Sequence, residues 1–236
     1  LTLPLFAVLL FLSRERTKRI NSLLEMSEAY RGTARLLGSV VSHDDAYTGL
    51  HTRQVADLAA VVAGEPGLTP SQCRKVEFGA MLHDIGKIAI SKDIINKPGP
   101  LDPGGWAVME THTLEGQQML DQIGGLMSEI GKVVRWSHER YDGGGYPDGL
   151  AGEAIPIESR VVFCCDAFNA ITTSRSYRAA RSEQVAIAEL RRCSGTQFDP
   201  QVVEALARCL QLDAPAPQPG VESPSTGALD RTPSPL

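Results

Sequence analysis

At Thr69 and again at Asp199 a small polar residue is followed at once by proline and then by apolar residues at helical spacing. That pairing leaves the backbone little choice. Thr69-Pro70-Ser71 leads into Cys73 to Leu82, and Asp199-Pro200 precedes Val202, Val203, Leu206 and Leu210. The side-chain oxygen caps a free amide of the first turn, while proline at the first helical position has its φ preset and no amide to leave unpaired. Ser182 caps a third helix, whose Val185, Ile187, Ala188 and Leu190 leave the charges on the other side. The stretches from His51 to Ala63 and from Arg160 to Ala170 also read as helix. No strand-like alternation persists over a useful length, and no internal repeat is present. The expected fold class is all-α. Lys97-Pro98-Gly99-Pro100 must be a turn, and Tyr141 to Gly149 is a glycine-dense loop where the backbone approaches something closely.

The ends differ from the middle. Residues 1–12 are apolar and stop at Arg14, Arg16, Lys18 and Arg19. Twelve residues fall short of the about 20 that cross a bilayer. The run reads as the cytoplasmic end of a truncated membrane helix, since basic residues favour that flank. The alternative is a hydrophobic N-terminal helix packed on the domain. Residues 13–32 suit a connecting helix, with Ile20, Leu23, Leu24 and Met26 as an incomplete apolar stripe for pairing with a second subunit in a homodimer. Residues 213–236 are rich in Pro, Ser, Gly and Ala, and such a tail cannot bury enough surface to offset its ordering entropy. The folded domain is expected over residues 33–212, on the cytoplasmic side and anchored to an inner membrane through the segment before residue 13. A net charge of −5 argues against a DNA or RNA binder but leaves room for a small anionic ligand at a local basic cluster. The cysteines, Cys73, Cys164, Cys165, Cys193 and Cys209, are odd in number and form no C-x-x-C pair, as expected of reduced, buried thiols.

Metal-binding residue types collect at His51, His83-Asp84, His112, His138 and Asp166. A lone helical histidine is most often a hydrogen-bonded structural residue. The His83-Asp84 pair is different, because an imidazole and a carboxylate at the edge of the apolar run A-M-L are costly unless paired or metal-bound. Asp166 stands in an apolar helix beside Val161, Val162 and Phe163, so its charge also needs a partner. A mixed His/carboxylate set suits Mn, Fe or Zn better than Mg or Ca. Ser137 and Glu139 flank His138 and are candidates to orient its ring through hydrogen bonds.

H-D-I-G-K at His83 to Lys87, K-P-G-P-L at Lys97 to Leu101 and H-E-R-Y-D-G-G-G-Y-P at His138 to Pro147 together resemble the HD-GYP subgroup of the HD phosphohydrolases. H-T-R-Q-V-A at His51, G-E-A-I-P at Gly152 and G-T-Q-F-D-P at Gly195 extend the resemblance over nearly all of Tyr47 to Leu206. It implies a helical bundle with a binuclear centre that hydrolyses cyclic di-GMP to a linear dinucleotide or to GMP. By the same resemblance, His51, His83, Asp84 and Asp166 bind one metal, and Asp84 bridges to a second held by His112 and His138. The two divalent ions, Fe or Mn first and Zn next, activate water and polarise the phosphoryl oxygens. Asp84 and Lys87 are the expected catalytic residues. Lys87, Arg175 and Arg178 are the expected phosphate contacts. Asp142, Gly143, Gly145, Tyr146 and Pro147 form the motif loop, with Tyr146 as a loop anchor or a contact for a protein partner.

Three positions depart from the family pattern. Ser137 stands where the first of two histidines is usual, which removes an imidazole from the second metal and leaves water or a weak Ser137 contact in its place. Asn169 replaces an aspartate, taking an acidic partner from Lys87. Ser176 replaces a proline. Against the reading as a cyclic di-GMP phosphodiesterase therefore stands a degenerate module that binds cyclic di-GMP or a protein partner without turnover. A third reading keeps the enzyme and changes the cyclic dinucleotide.

Overall fold

The structure is a computed structural model that describes residues 2–43, 48–65, 67–174 and 179–212. Arg175, Ser176, Arg178 and the tail 213–236 lie outside the described residues, as do the side chains of Leu23, Leu24 and Met26. The helices are α1 (Thr2–His43), α2 (Thr48–Gly64), α3 (Pro70–Leu82), α4 (Lys92–Ile95), α5 (Pro103–Glu110), α6 (His112–Ile123), α7 (Leu126–Arg135), α8 (Ile157–Thr172), α9 (Glu183–Arg192) and α10 (Pro200–Cys209). Two 3-10 turns, Ile85–Ala89 and Gly152–Ala154, complete them. The described residues form no strand, only two isolated bridges.

The caps act as their sequence predicts. The Thr69 side chain accepts from the Gln72 amide in a capping box, Ser182 accepts from the Val185 amide, and Asp199 accepts from the Gln201 amide. Asp102-Pro103 is a further example of the same signal and starts α5, with the Asp102 carboxylate accepting from the Gly105 amide.

α3 is the centre of the bundle. It packs on α2, α7 and α8, while α6 lies against α7 and the turn Ile85–Ala89. Val55, Ala59 and Val62 of α2, Val76, Ala80 and Leu82 of α3, Ile130 and Val134 of α7, and Val161, Val162 and Cys165 of α8 are buried in one core. Each large aliphatic side chain among them contributes about 1.5–3 kcal/mol by leaving water. The cysteines are free thiols; Cys164, Cys165 and Cys193 are buried, whereas Cys73 and Cys209 are only partly so.

α1 runs without a break through residues 12 and 32. Its Ala34 is buried against the bundle, whereas Val8, Phe11, Leu12, Ile20 and Tyr30 are exposed. Among the described residues, no helix is long and apolar enough to cross a membrane.

Candidate metal centre

Five elements converge at the end of α3, where its apolar run gives way to His83 and Asp84. The chain can turn there because of Gly86. A Cβ at this position would meet the His112 carbonyl oxygen and lie 2.5 Å from the Gly116 amide nitrogen, both backbone atoms. Only glycine lets the turn Ile85–Ala89 press onto the start of α6, and that contact brings His112 to Asp84.

The six expected ligands form two groups. His51, His83 and Asp166 make one, and Asp84, His112 and His138 make the other, with the ligand atoms of each group within 4.8 Å of one another. Asp84 stands between them: its Oδ2 is 3.5 Å from His83 Nε2 and its Oδ1 is 3.7 Å from His112 Nε2. Asp166 Oδ1 lies 2.9 Å from His51 Nε2 and 3.9 Å from His83 Nε2.

Hydrogen bonds set which nitrogen faces inward. His83 Nδ1 donates to the Ala80 carbonyl at 2.9 Å and His112 Nδ1 to the Met109 carbonyl at 2.8 Å. His51 Nδ1 donates to Asn169 Oδ1 at 2.6 Å. In His83 and His112 this leaves the Nε2 lone pair aimed at the group's centre, and His51 Nε2 faces the Asp166 carboxylate, the arrangement in which an outer partner orients a ligating imidazole.

The polar atoms that remain are short of partners. His112 Nε2 and both ring nitrogens of His138 are buried without a hydrogen bond. Buried polar atoms left unpaired are costly, and several converging acceptors call for cations between them. Imidazole nitrogens and carboxylate oxygens are the donor set of Mn, Fe and Zn, so the residues present fit divalent metal ions.

The charge states agree with this. Burial lowers the His112 imidazole to about 4, and burial with the neighbouring His112 lowers His138 to about 3. Both rings are therefore neutral at ordinary pH and ready to donate. Burial alone would raise Asp84, but Lys87 foremost, with His83 and His112, holds it well below the usual carboxylate range. Asp166 is likewise held low against its burial, by His51 and then His83 and His138.

This arrangement is expected to make the metal-free protein acid-labile. His112 and His138 stay neutral when folded but take up protons when unfolded, so stability falls as pH drops below about 6.5. By pH 5 the loss is about 2 kcal/mol for each imidazole. The buried carboxylates act only below about pH 4. His51, where Asp166 and Asn169 outweigh the lowering by burial, is raised and changes mainly above the window. Thermal melts in chelator at pH 7 and pH 5 check this; a midpoint that stays level or rises on acidification refutes it.

Two expectations about the departures need correcting. Asn169 does not leave Lys87 without an acidic partner, since Lys87 Nζ is 2.8 Å from Asp84 Oδ2. Asn169 instead holds His51 and donates to Gln54 Oε1, a part for which an amide is well suited. Ser137 and Glu139 do not hold the His138 ring. The Ser137 hydroxyl donates to the Val134 carbonyl at 2.9 Å, and Glu139 accepts from the amides of Asp148 and Leu150 at 2.7 and 3.1 Å.

The motif loop folds back over this segment. A Cβ on Gly145 would lie 2.6 Å from both Glu139 Cα and the His138 carbonyl oxygen. The Tyr146 amide donates to that carbonyl at 3.2 Å, and the Tyr146 ring stacks on His138 with centroids 5.2 Å apart. The Asp142 carboxylate pairs with Arg140 and accepts from the Gly144 amide.

Residues 35–202 match the HD domain family. This chain belongs to the HD domain family. Among its HD relatives, the cyclic di-GMP phosphodiesterase response regulator RpfG of Xanthomonas campestris is 36% identical over 209 residues, covering 85% of this chain and 55% of that protein. The 3'3'-cGAMP-specific phosphodiesterase 2 of Vibrio cholerae is 32% identical over 190 residues, covering 80% of this chain and 36% of that protein. The chain thus spans about half or less of these relatives' length. The solved structure of an HDG"Y"P protein of Bdellovibrio bacteriovorus shares the fold at a TM-score of 0.55 and 21% identity, over 68% of this chain and 51% of that one.

Proposed function

We propose that this chain is a metal-dependent phosphodiesterase that hydrolyses a cyclic dinucleotide, cyclic di-GMP first, to the linear dinucleotide or GMP. The observation that carries the reading is the pair of buried His/carboxylate groups sharing Asp84, in which His112 Nε2 and both His138 ring nitrogens have no protein partner. His51, His83, Asp84 and Asp166 would hold one ion, and Asp84, His112 and His138 the other. Two divalent ions, Fe or Mn before Zn, supply Lewis acidity and an activated water.

The protein's own contribution is placement. Asp84 offers one carboxylate oxygen to each group, and the backbone carbonyls behind His83 and His112 fix their tautomers. Lys87, beside Asp84 and partly exposed, is placed to meet a phosphate oxygen or the leaving alkoxide. Arg175 and Arg178 are proposed to grip the phosphodiester. Relatives acting on cyclic di-GMP and on 3'3'-cGAMP support a cyclic dinucleotide as the substrate class. Free thiols suit the cytoplasm. Asp142, Gly144 and Gly149 at the rim of the loop are exposed, as a protein-contact surface requires.

A non-catalytic binding module is the second reading, and one observation favours it. The Ser137 hydroxyl is turned to the last turn of α7, so the second group has three ligands. Metal content and cyclic di-GMP hydrolysis, measured on one preparation across a range of Mn and Fe, separate the two. Turnover with about two ions per chain is expected of a binuclear site. Ser137→His is expected to lower the metal concentration needed for half-maximal turnover by about tenfold. Ligand binding without turnover at any metal concentration, with turnover appearing only in Ser137→His, establishes the binding module instead.

A further inference from the structure

Three of the four histidines at this site have their ring held by a hydrogen bond from Nδ1; His138 does not. Neither of its nitrogens has a protein partner, although the residue is 3% exposed. Rings surround it, His83 among them with centroids 6.3 Å apart. Tyr146 lies over its face at an interplanar angle of 16°, while His112 and Phe163 meet it edge-on with centroids 5.0 and 6.3 Å away. Of these, only Tyr146 belongs to the motif loop.

The loop is in turn fastened to the short segment that carries His138. Asp148, two residues beyond Tyr146, accepts from Arg135 Nε at 2.6 Å and Nη2 at 2.7 Å. The same carboxylate accepts from Trp136 Nε1 at 2.7 Å. On the other side of His138, Glu139 receives the amides of Asp148 and Leu150. Arg135, Trp136 and Glu139 thus bracket His138 in sequence, and all three end on one stretch of loop. Two charge-assisted bonds in a fork, plus an indole donor, make a directional fastening rather than a loose surface pair.

We propose that Tyr146 is a positioning residue for the second metal ligand group, and that Asp148, gripped by Arg135 and Trp136, is the latch that keeps it over His138. Tyr146 thereby does by stacking what a carbonyl or Asn169 does for the other three rings. With Ser137 supplying no imidazole, the second group depends on His138 more heavily than a group with four ligands would. This inference rests on the two-metal reading of the site and adds a role for the loop within it.

The test is titration of the metal-stripped full chain with Mn(II), following both binding steps, in the parent, Tyr146→Ala, Tyr146→Phe and Asp148→Ala. Tyr146→Ala is expected to weaken the second step by about 10- to 100-fold, the usual cost of losing an orienting partner, and to leave the first step alone. Tyr146→Phe keeps the ring and is expected to bind as the parent does; Asp148→Ala should fall between. Circular dichroism and the unfolding midpoint of each metal-free variant show that it is folded. If the parent binds two ions and Tyr146→Ala binds both as tightly, the positioning role is wrong while the metal centre stands. Equal weakening of both steps, or of Tyr146→Phe and Tyr146→Ala alike, overturns it too. A parent that takes up fewer than two ions overturns the two-metal reading and this inference together.

Discussion

Asp84→Ala is expected to reduce bound metal from about two ions to one or fewer and to lower cyclic dinucleotide turnover by at least about 10³-fold, or about 4 kcal/mol of barrier. The reason is that Asp84 is the residue whose two oxygens face different groups, His83 on one side and His112 on the other. Truncating it removes a ligand from both at once, whereas loss of His51 or His138 touches one. It also leaves Lys87 without the carboxylate 2.8 Å from its Nζ. Asp84→Asn separates the two effects: it keeps the volume but gives up the charge and one acceptor oxygen. Metal analysis beside a turnover assay reads both quantities. An Asp84→Ala protein that keeps two ions and measurable hydrolysis would remove the basis for a shared binuclear site.

Gly86→Ala is the second large effect, and it arises from backbone rather than from chemistry. The added methyl group has nowhere to go, since the atoms it meets are the His112 carbonyl oxygen and the Gly116 amide, neither of which can rotate aside. The turn Ile85–Ala89 and α6 must separate, and His112 moves away from Asp84 with them. Overpacking of this kind costs about 3 kcal/mol. In a domain of this size that lowers the unfolding midpoint by about 6–12 °C. The second metal-binding step is expected to be lost at the same time. A Gly86→Ala protein with the parent's midpoint and two bound ions would show that the contact is not needed.

Much of this was legible before any coordinate. Thr69-Pro70, Ser182 and Asp199-Pro200 each start a helix where their capping chemistry says one should start. His83, Asp84 and Asp166 stand out because a charge beside an apolar run needs a partner, and the order of motifs adds His51, His112 and His138. The misjudged residues are those whose partners lie far along the chain. Asn169 looks like a missing acid for Lys87, yet it meets His51, 118 positions away in sequence. Glu139 looks like a support for the neighbouring imidazole, yet it points the other way and holds the loop at Asp148 and Leu150. Arg135 and Trp136 carry no motif at all, and their convergence on Asp148 becomes visible only when the loop folds back.

The division follows from the range of the forces involved. Where a helix begins, which face is apolar and which residues can donate to a metal are settled by atoms within a turn or two of each other, so the sequence alone determines them. Which ring nitrogen faces inward, how six candidate ligands sort into two groups around Asp84, and that Tyr146 covers His138 depend on glycine-permitted backbone contacts between separate elements. Local rules carry no information about which neighbour a helix will meet, and only the packed tertiary structure decided it.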